Sequence, residues 1–209
     1  FKNEETEAVL TTKPTLATTA TSASAPGTYD ITISGAEAQN YEITYVKGTL
    51  TITEADPVTI TAKNYTRKYG ESNPTFEYTS DGATLDGTPE ISCEAKATSP
   101  VGTYDIVVKQ GSVKNYNVTY VKGTLTIEQA PLTITAKSYT IKQGEALPTF
   151  EAEYSSFKNN ETDAVLTKKP TITTTATSAS TPGTYDITIS GAEAQNYDLS
   201  YVKGTLTIT

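Results

Sequence analysis

The sequence GTYDITIS occupies residues Gly183–Ser190 and decides the fold class of the chain. Its apolar side chains alternate with polar ones, so Tyr185, Ile187 and Ile189 share one face of an extended segment. A period of two residues indicates a half-buried β-strand, because a helix would repeat its apolar positions every 3.6 residues. The stretch therefore predicts a strand with one face against a core.

Alternating runs of the same kind lie on both sides of this stretch, at residues 132–136, 139–141, 150–154, 172–176, 197–201 and 206–208. Turn residues separate them, as in Pro182-Gly183, Lys203-Gly204 and Gln143-Gly144. β-Branched and aromatic residues, which favour strands, are abundant in the runs. This part of the chain is predicted to be strand-dominated.

The chain is built of repeats. Residues 1–53 match residues 157–209 almost residue for residue, and the motif GTYDI recurs at residues 27–31, 102–106 and 183–187. We place module boundaries at Asp56-Pro57 and Ala130-Pro131, where a proline lies between one strand run and the next. The sequence then predicts a partial first module at 1–55, a complete second module at 56–129 and a complete third module at 130–209.

One segment departs from the strand pattern. In residues 159–166 an asparagine is followed by acidic and then apolar residues, which is typical of a short helix with an N-cap. The second module lacks this segment and has residues 80–85 in its place. We therefore expect a helix of two turns at most, present in some modules only, and inessential to the fold.

The ordered motifs of the second module resemble the MBG domain of the YGX type. They are Tyr69-Gly70-Glu71, Asn73-Pro74-Thr75-Phe76, Gly102-Thr103-Tyr104, Asn115-Tyr116 and residues 121–127. The resemblance implies a strand-dominated α+β fold, an antiparallel sheet with one short helix, and a place in tandem arrays of bacterial surface and secreted proteins. An all-β immunoglobulin-like sandwich is the alternative architecture. The third module has Gln143-Gly144-Glu145 at the first motif, which indicates a structural role for the tyrosine.

The composition of the chain argues against several classes of function. The chain of 209 residues has no histidine, one cysteine and a formal net charge of −8. Without histidine the Ser-His-Asp and Cys-His arrangements cannot form, so we predict no enzyme, no catalytic residue and no cofactor. An acidic surface without a basic cluster argues against nucleic acid or anionic lipid as a partner. No run is long enough for a membrane helix, and a chain that begins at Phe1 without methionine is expected to be a fragment.

Several residues remain as candidates for other roles. The acidic stretch at residues 4–7 lacks the pattern of a calcium loop and is expected to be solvated, so we predict no metal site. Cys93 falls on the apolar face of its strand and is expected to be buried. The tyrosines of each module are expected to be core residues with hydroxyls at the rim, although aromatic faces also bind sugars; they are Tyr29, Tyr41 and Tyr45, Tyr104, Tyr116 and Tyr120, and Tyr185, Tyr197 and Tyr201.

Each module also has a lysine seven residues after an asparagine, in the pairs Asn40 and Lys47, Asn115 and Lys122, and Asn196 and Lys203. Some surface proteins join such residues in an isopeptide crosslink, but the contexts Asn-Tyr and Lys-Gly are typical of exposed turns. We therefore expect the asparagines to serve in turns.

These patterns bear on three classes of function, namely a spacer, a binding module and an enzyme. We expect a spacer or stalk, monomeric and extracellular at the bacterial surface, whose modules contact only their neighbours and which presents other domains. The alternative is an adhesin-type module for a host glycan or protein, with binding residues that the sequence does not identify. An enzyme is excluded by the lack of a nucleophile with its base.

Overall fold

The computed structural model describes all 209 residues, and they divide into two compact units, Phe1–Pro57 and Val58–Thr209. None of the helical segments is long and apolar enough to span a membrane. Strands dominate both units, as the alternation predicts.

The first unit is an open arrangement of five strands. A three-stranded antiparallel sheet has the order β2-β3-β5, and a two-stranded ladder joins β1 to β4. Because few strands cover its faces, most of its strand residues are exposed or half-buried. The strands are β1 (Leu10–Thr12), β2 (Thr15–Thr18), β3 (Gly27–Ser34), β4 (Glu37–Ala38) and β5 (Gly48–Ile52).

The second unit contains the second and third modules, each with one sheet of four strands and one of three. The strands of the second module are β6 (Val58–Ala62), β7 (Tyr65–Lys68), β8 (Tyr78–Gly82), β9 (Glu90–Cys93), β10 (Gly102–Lys109), β11 (Val118–Val121) and β12 (Gly123–Glu128). Those of the third are β13 (Ala130–Ala136), β14 (Tyr139–Ile141), β15 (Ala152–Ser155), β16 (Thr171–Thr174), β17 (Gly183–Ser190), β18 (Tyr197–Val202) and β19 (Gly204–Ile208).

The strand order is the same in both modules of this unit. It is β7-β12-β10-β9 with β11-β6-β8 in the second module and β14-β19-β17-β16 with β15-β13-β18 in the third. The alternating positions of β17 point into the interior, where Ile187 and Ile189 are buried. The stretch that decided the fold class is therefore a central strand with one buried face.

The sheets are mixed, whereas the sequence predicted antiparallel pairing. The strand pairs β6 with β11, β7 with β12, β13 with β18, and β14 with β19 are all parallel. In each of these modules the first two strands form one chain segment and the last two form another. The two segments run parallel to each other, and each passes from the three-stranded sheet to the four-stranded sheet. Alternation of side chains is the same in both pairings, so the sequence pattern did not distinguish them.

The predicted helix at residues 159–166 is wrong, and with it the α+β class; the fold is strand-dominated, as predicted, and all-β. The segment contains one 3-10 turn, Asp163–Val165, and the first unit has its counterpart at Glu7–Val9. Asn159 and Asn160 have positive φ angles, and the cap is Thr162, whose hydroxyl accepts from the Ala164 N–H at 3.4 Å. The left-handed backbone at these asparagines excludes a helix that begins at Asn159, and Leu166 is extended with ψ of 122°, so only one turn forms.

Candidate functional site

The most elaborate contact of the second unit lies where the second module meets the third. The loop after β7 carries Tyr69, which is 2% exposed and belongs to one apolar cluster with Leu166 and Tyr197 of the third module. The interior of the second module therefore continues into the third without a solvent gap. We call Tyr69-Gly70-Glu71 the YG loop.

The sequence of the YG loop explains its shape. Gly70 has φ of +82°, a backbone conformation that favours glycine. The Glu71 carboxylate accepts a hydrogen bond from the Lys68 N–H at 2.8 Å, and the Glu71 N–H donates to the Lys68 carbonyl at 3.2 Å. The Tyr69 N–H is held by the Glu128 carbonyl at 2.8 Å. The turn thus projects the tyrosine ring beyond the end of its own module.

The third module receives this ring in a site that we call the tyrosine socket, formed by Phe157, Asn159, Glu161, Asn196 and Tyr197. The Tyr69 hydroxyl donates to Glu161 Oε1 at 2.5 Å, and the Tyr197 hydroxyl donates to Glu161 Oε2 at 2.5 Å. Hydrogen bonds to a charged acceptor are about twice as strong as neutral ones. One carboxylate therefore joins a phenol from each module.

The aromatic rings of the socket meet edge to face. The ring centroids of Tyr69 and Tyr197 lie 5.6 Å apart at an interplanar angle of 81°, and those of Phe157 and Tyr197 lie 5.6 Å apart at 90°. Each such pair contributes about 0.5–1.5 kcal/mol beyond the burial of its apolar area. The Lys158 N–H donates to the Tyr197 oxygen at 2.9 Å and fixes the position of that phenol in the socket.

Polar contacts surround the buried ring. The Val101 N–H donates to Asn196 Oδ1 at 3.1 Å, and Asn159 Nδ2 donates to the Ala97 carbonyl at 3.4 Å. Gln129 Nε2 donates to the Gln195 carbonyl at 3.2 Å in the segment between the modules. An apolar centre with a polar rim is the usual anatomy of a specific protein interface.

A buried arginine supports the YG loop from within the second module. Arg67 is 5% exposed and is the only buried charged residue. Its guanidinium donates to Asn73 Oδ1 at 2.9 Å, to the Lys96 carbonyl at 2.6 Å and to the Lys68 carbonyl at 3.1 Å. The network ties the YG loop to the loop that carries Ala97, so the two parts of the second module that contact the third are held together.

The third module has a related loop at its own end, with two differences. Gly144 has φ of +85°, and Glu145 closes the turn on Lys142 as Glu71 does on Lys68. Gln143 stands at the position of Tyr69, and Pro182 stands at the position of Val101. The end of the third module therefore lacks both the phenol and the N–H that hold the junction.

The second module has no tyrosine socket. Tyr116, at the position of Tyr197, is 82% exposed. Asn115 instead accepts from the Asp86 N–H at 2.7 Å and donates to the Thr84 carbonyl at 3.0 Å. The segment that supplies Glu161 is missing from this module, so the asparagine closes a shorter loop and the tyrosine remains in solvent.

The repeated tyrosines therefore play different parts. Tyr197 is buried as expected, but Tyr116, Tyr45 and Tyr201 are 82%, 40% and 37% exposed, which contradicts the expectation that these tyrosines are core residues in every module. The first tyrosine of each set makes the same hydrogen bond in all three modules, since Tyr29, Tyr104 and Tyr185 each donate at 2.8 Å to the carbonyl of the residue four positions earlier. This bond fastens the turn before the central strand.

The other residues from the sequence analysis lie away from the junction or at its rim. Lys47, Lys122 and Lys203 form ion pairs with Asp30, Asp105 and Asp186 at 2.6, 2.6 and 2.8 Å. Cys93 is half-buried against the core of the second module. Of the acidic stretch at residues 4–7, Glu5 is the carboxylate that accepts from Tyr41.

The buried phenols make the junction sensitive to alkaline pH. Burial raises the pKa of Tyr69 and of Tyr197 above the usual value of about 10, and the hydrogen bond to Glu161 raises both further. Below pH 10 both tyrosines are protonated whether the chain is folded or unfolded. Above it the unfolded chain loses protons that the folded chain retains, so stability is lost as pH rises towards the folded pKa.

We therefore expect the free energy of unfolding to fall with a steady slope as pH rises above 10, because the unfolded chain then loses phenol protons that the folded chain retains. The measurement is urea denaturation at a series of pH values. Tyr197→Phe should reduce the slope, and the matched control Tyr116→Phe, which changes an exposed phenol at the same position of the repeat, should leave it unchanged. Equal slopes in both variants would contradict a role for the buried phenol.

Comparison with known proteins bears on the whole chain. No curated protein matches it closely enough to count as a relative. The model of one family, described as MBG domain (YGX type), matches three times, at residues 1–51, 58–126 and 132–207. Since these matches cover most of the sequence in three successive copies, the chain belongs to the MBG domain (YGX type) family and is a tandem array of its repeats.

Proposed function

We propose that the chain is a non-catalytic spacer segment of a bacterial cell-surface or secreted protein. It holds other domains of that protein at a distance and in a set direction, acts outside the cell, and needs no cofactor. Binding to host molecules falls to other parts of the parent protein, and the segment itself is monomeric.

One observation carries this proposal, namely the junction of the second and third modules. A spacer must keep its modules in a fixed relation, which flexible linkers do not do. Here a ring from one module is buried in the other, and three polar contacts surround it. In repeat proteins of this kind each module contacts only its neighbours in the array. An array joined in this way resists bending at each such junction.

The polar sides of the modules support the same function. The ion pairs between Lys122 and Asp105 and between Lys203 and Asp186 lie on exposed strand residues at equivalent places. Exposed pairs of this kind contribute little stability, about 0–1 kcal/mol. They keep the sheet surface charged, and charged strand surfaces discourage association edge to edge.

Distances between spin labels test the rigidity. In the full chain with Cys93→Ser, nitroxide labels at Glu90→Cys and Thr171→Cys report the second module against the third, because both positions are exposed. Labels at Thr171→Cys and Asp198→Cys report the third module alone. We expect the distance distribution between modules to be as narrow as the distribution within one module.

The substitution Tyr69→Gln should broaden the first distribution and leave the second unchanged. Glutamine is the residue that the third module carries in the same loop, so the loop itself should form. Tyr116→Gln is the control. A broad distance distribution between the modules in the unsubstituted chain, or one that Tyr69→Gln does not alter, would contradict the proposal of a rigid spacer.

An adhesin-type role is the second candidate, and one observation favours it. Tyr116 leaves 82% of its surface in solvent, and an exposed aromatic ring is a stacking surface for a sugar. The tyrosine lies on the one module that has no socket. Binding of the chain to a glycan array that Tyr116→Ser abolishes would favour the adhesin over the spacer.

A further inference from the structure

The first unit carries a second copy of the tyrosine socket. Its five residues are those of the third module at matching positions of the repeat, and all five are identical: Phe1, Asn3, Glu5, Asn40 and Tyr41. Two of them belong to the segment that the second module lacks. The match is therefore a property of the first and third modules only.

The geometry of this second socket matches that of the first. The Lys2 N–H donates to the Tyr41 oxygen at 2.9 Å, and the Tyr41 hydroxyl donates to Glu5. The ring centroids of Phe1 and Tyr41 lie 5.6 Å apart at an interplanar angle of 77°. Asn3 has φ of 52°, against 53° for Asn159. The socket is thus preformed, with its carboxylate already aligned by one phenol.

The difference between the two sockets is what covers them. In the third module Tyr197 is 2% and Leu166 7% exposed beneath the ring of Tyr69. In the first unit, which has no strands equivalent to β13 and β15, Phe1 is 66% exposed and Tyr41 is half-buried. Glu5 uses one carboxylate oxygen for Tyr41 and is exposed. The position that a second phenol occupies in the third module is accessible here.

We propose that the socket of the first unit binds the YG loop of another MBG module, with the incoming phenol on Glu5 and its ring against Tyr41. The partner module must carry a tyrosine followed by a glycine with positive φ, as in the YG loop. It must also offer a backbone N–H to Asn40, as the Val101 N–H does to Asn196. The proposal deepens the spacer function and rests on it, since the same contact would extend the array beyond the first unit.

The loop at the end of the third module shows what the partner must have. It has the glycine turn, but Gln143 cannot place a phenol and Pro182 cannot donate an N–H. We therefore expect the unsubstituted chain to leave its own socket unoccupied by this loop. Replacing these two residues with those of the second module, Gln143→Tyr and Pro182→Val, supplies both groups without changing the socket.

The test uses the full chain with Gln143→Tyr and Pro182→Val. Because the donor loop and the socket are formed by different residues, a contact between molecules is heterologous and can link more than two chains. We expect the weight-average mass in sedimentation velocity to rise with concentration, while the unsubstituted chain stays monomeric. The side-chain amide signals of Asn3 and Asn40 should shift, which reports docking whether the loop comes from a second molecule or the same one.

Two controls separate the proposal from nonspecific association. Gln143→Leu with Pro182→Val adds apolar surface without a phenol and should stay monomeric. Adding Glu5→Ala to the donor variant should abolish the association, and because Glu5 is exposed its truncation leaves the fold intact. Unchanged mass and amide signals, or association that survives Glu5→Ala, would overturn the proposal. Neither result bears on the spin-label distances, which report a junction outside the first unit.

Discussion

We expect Gly204→Ala to lower the free energy of unfolding of the second unit by about 3 kcal/mol, at the upper end of the usual cost of overpacking. Gly204 begins β19 at the point where that strand passes the turn between β13 and β14. A Cβ atom there would lie 2.5 Å from the Ala136 carbonyl oxygen and 2.6 Å from the Lys137 carbonyl oxygen. Real contacts of this kind do not occur, so the backbone must move.

The neighbouring atoms leave little room for that movement. The strand β13 is held on both sides, by β15 and by β18, and Leu132 and Ile134 on it are fully buried. Interiors packed to this density transmit strain to their surroundings. Gly204 does not have a positive φ, so the expected loss is steric. The same close approach occurs at Gly123, whose Cβ would lie 2.5 Å from the Lys63 carbonyl oxygen.

The repeat supplies a matched control in Gly48. It occupies the same place in the same motif, but the nearest atom to its added Cβ is Ile31 Cβ at 3.6 Å, an ordinary contact. Gly48→Ala should be neutral or stabilising by up to about 1 kcal/mol, because alanine restricts the unfolded chain. Urea denaturation followed by amide signals reads each unit separately. Equal losses at the two positions would refute the steric explanation.

The strand content of this chain could be predicted because side-chain alternation leaves a strong mark on the sequence. The face of Ile187 and Ile189 was assigned correctly, and the resemblance to the MBG domain family is confirmed by the match of the family model. Strand direction could not be predicted in the same way. The parallel pairs depend on which distant segments meet, and alternation within one segment contains no information about its partner.

The helix was predicted wrongly because the local sequence pattern does not show that Asn159 and Asn160 adopt positive φ angles. Asparagine, acidic and apolar residues in succession suit a helix start, and Thr162 does cap one turn. The two asparagines before it have positive φ, which side chains of this type tolerate. Asn159 belongs to the tyrosine socket, and the Glu161 carboxylate that follows accepts hydrogen bonds from two phenols.

The junction itself was missed, although the sequence contains a sign of it. Tyr69 was assigned a structural role from the departure at Gln143, but nothing local shows that its ring enters another module. The sign is the segment that carries Glu161, which the third module has and the second lacks. Comparison of the modules could have singled out this segment but not the burial of Tyr197, because the Asn-Tyr motif occurs in both modules.

The second large effect is expected at Gly70, where we predict that Gly70→Ala costs about 3 kcal/mol and opens the junction. Two causes act there. Gly70 has φ of +82°, and its added Cβ would lie 2.4 Å from Lys158 Cβ and 2.6 Å from Lys158 Cγ. The left-handed backbone costs alanine about 1–2 kcal/mol, and the clash adds about 1–3 kcal/mol. The measurements are urea denaturation and the spin-label distance between the modules.

The third module separates the two causes. Gly144 has the same conformation, with φ of +85°, but no atom lies within 4 Å of its added Cβ. Gly144→Ala should therefore show the backbone cost alone and leave the distance between the modules unchanged. Asparagine tolerates positive φ, so Gly144→Asn should be nearly neutral, whereas Gly70→Asn should still collide with Lys158 and open the junction. If asparagine restored Gly70 as well as Gly144, the glycine would serve the turn only, and the close approach of the two modules would not require it.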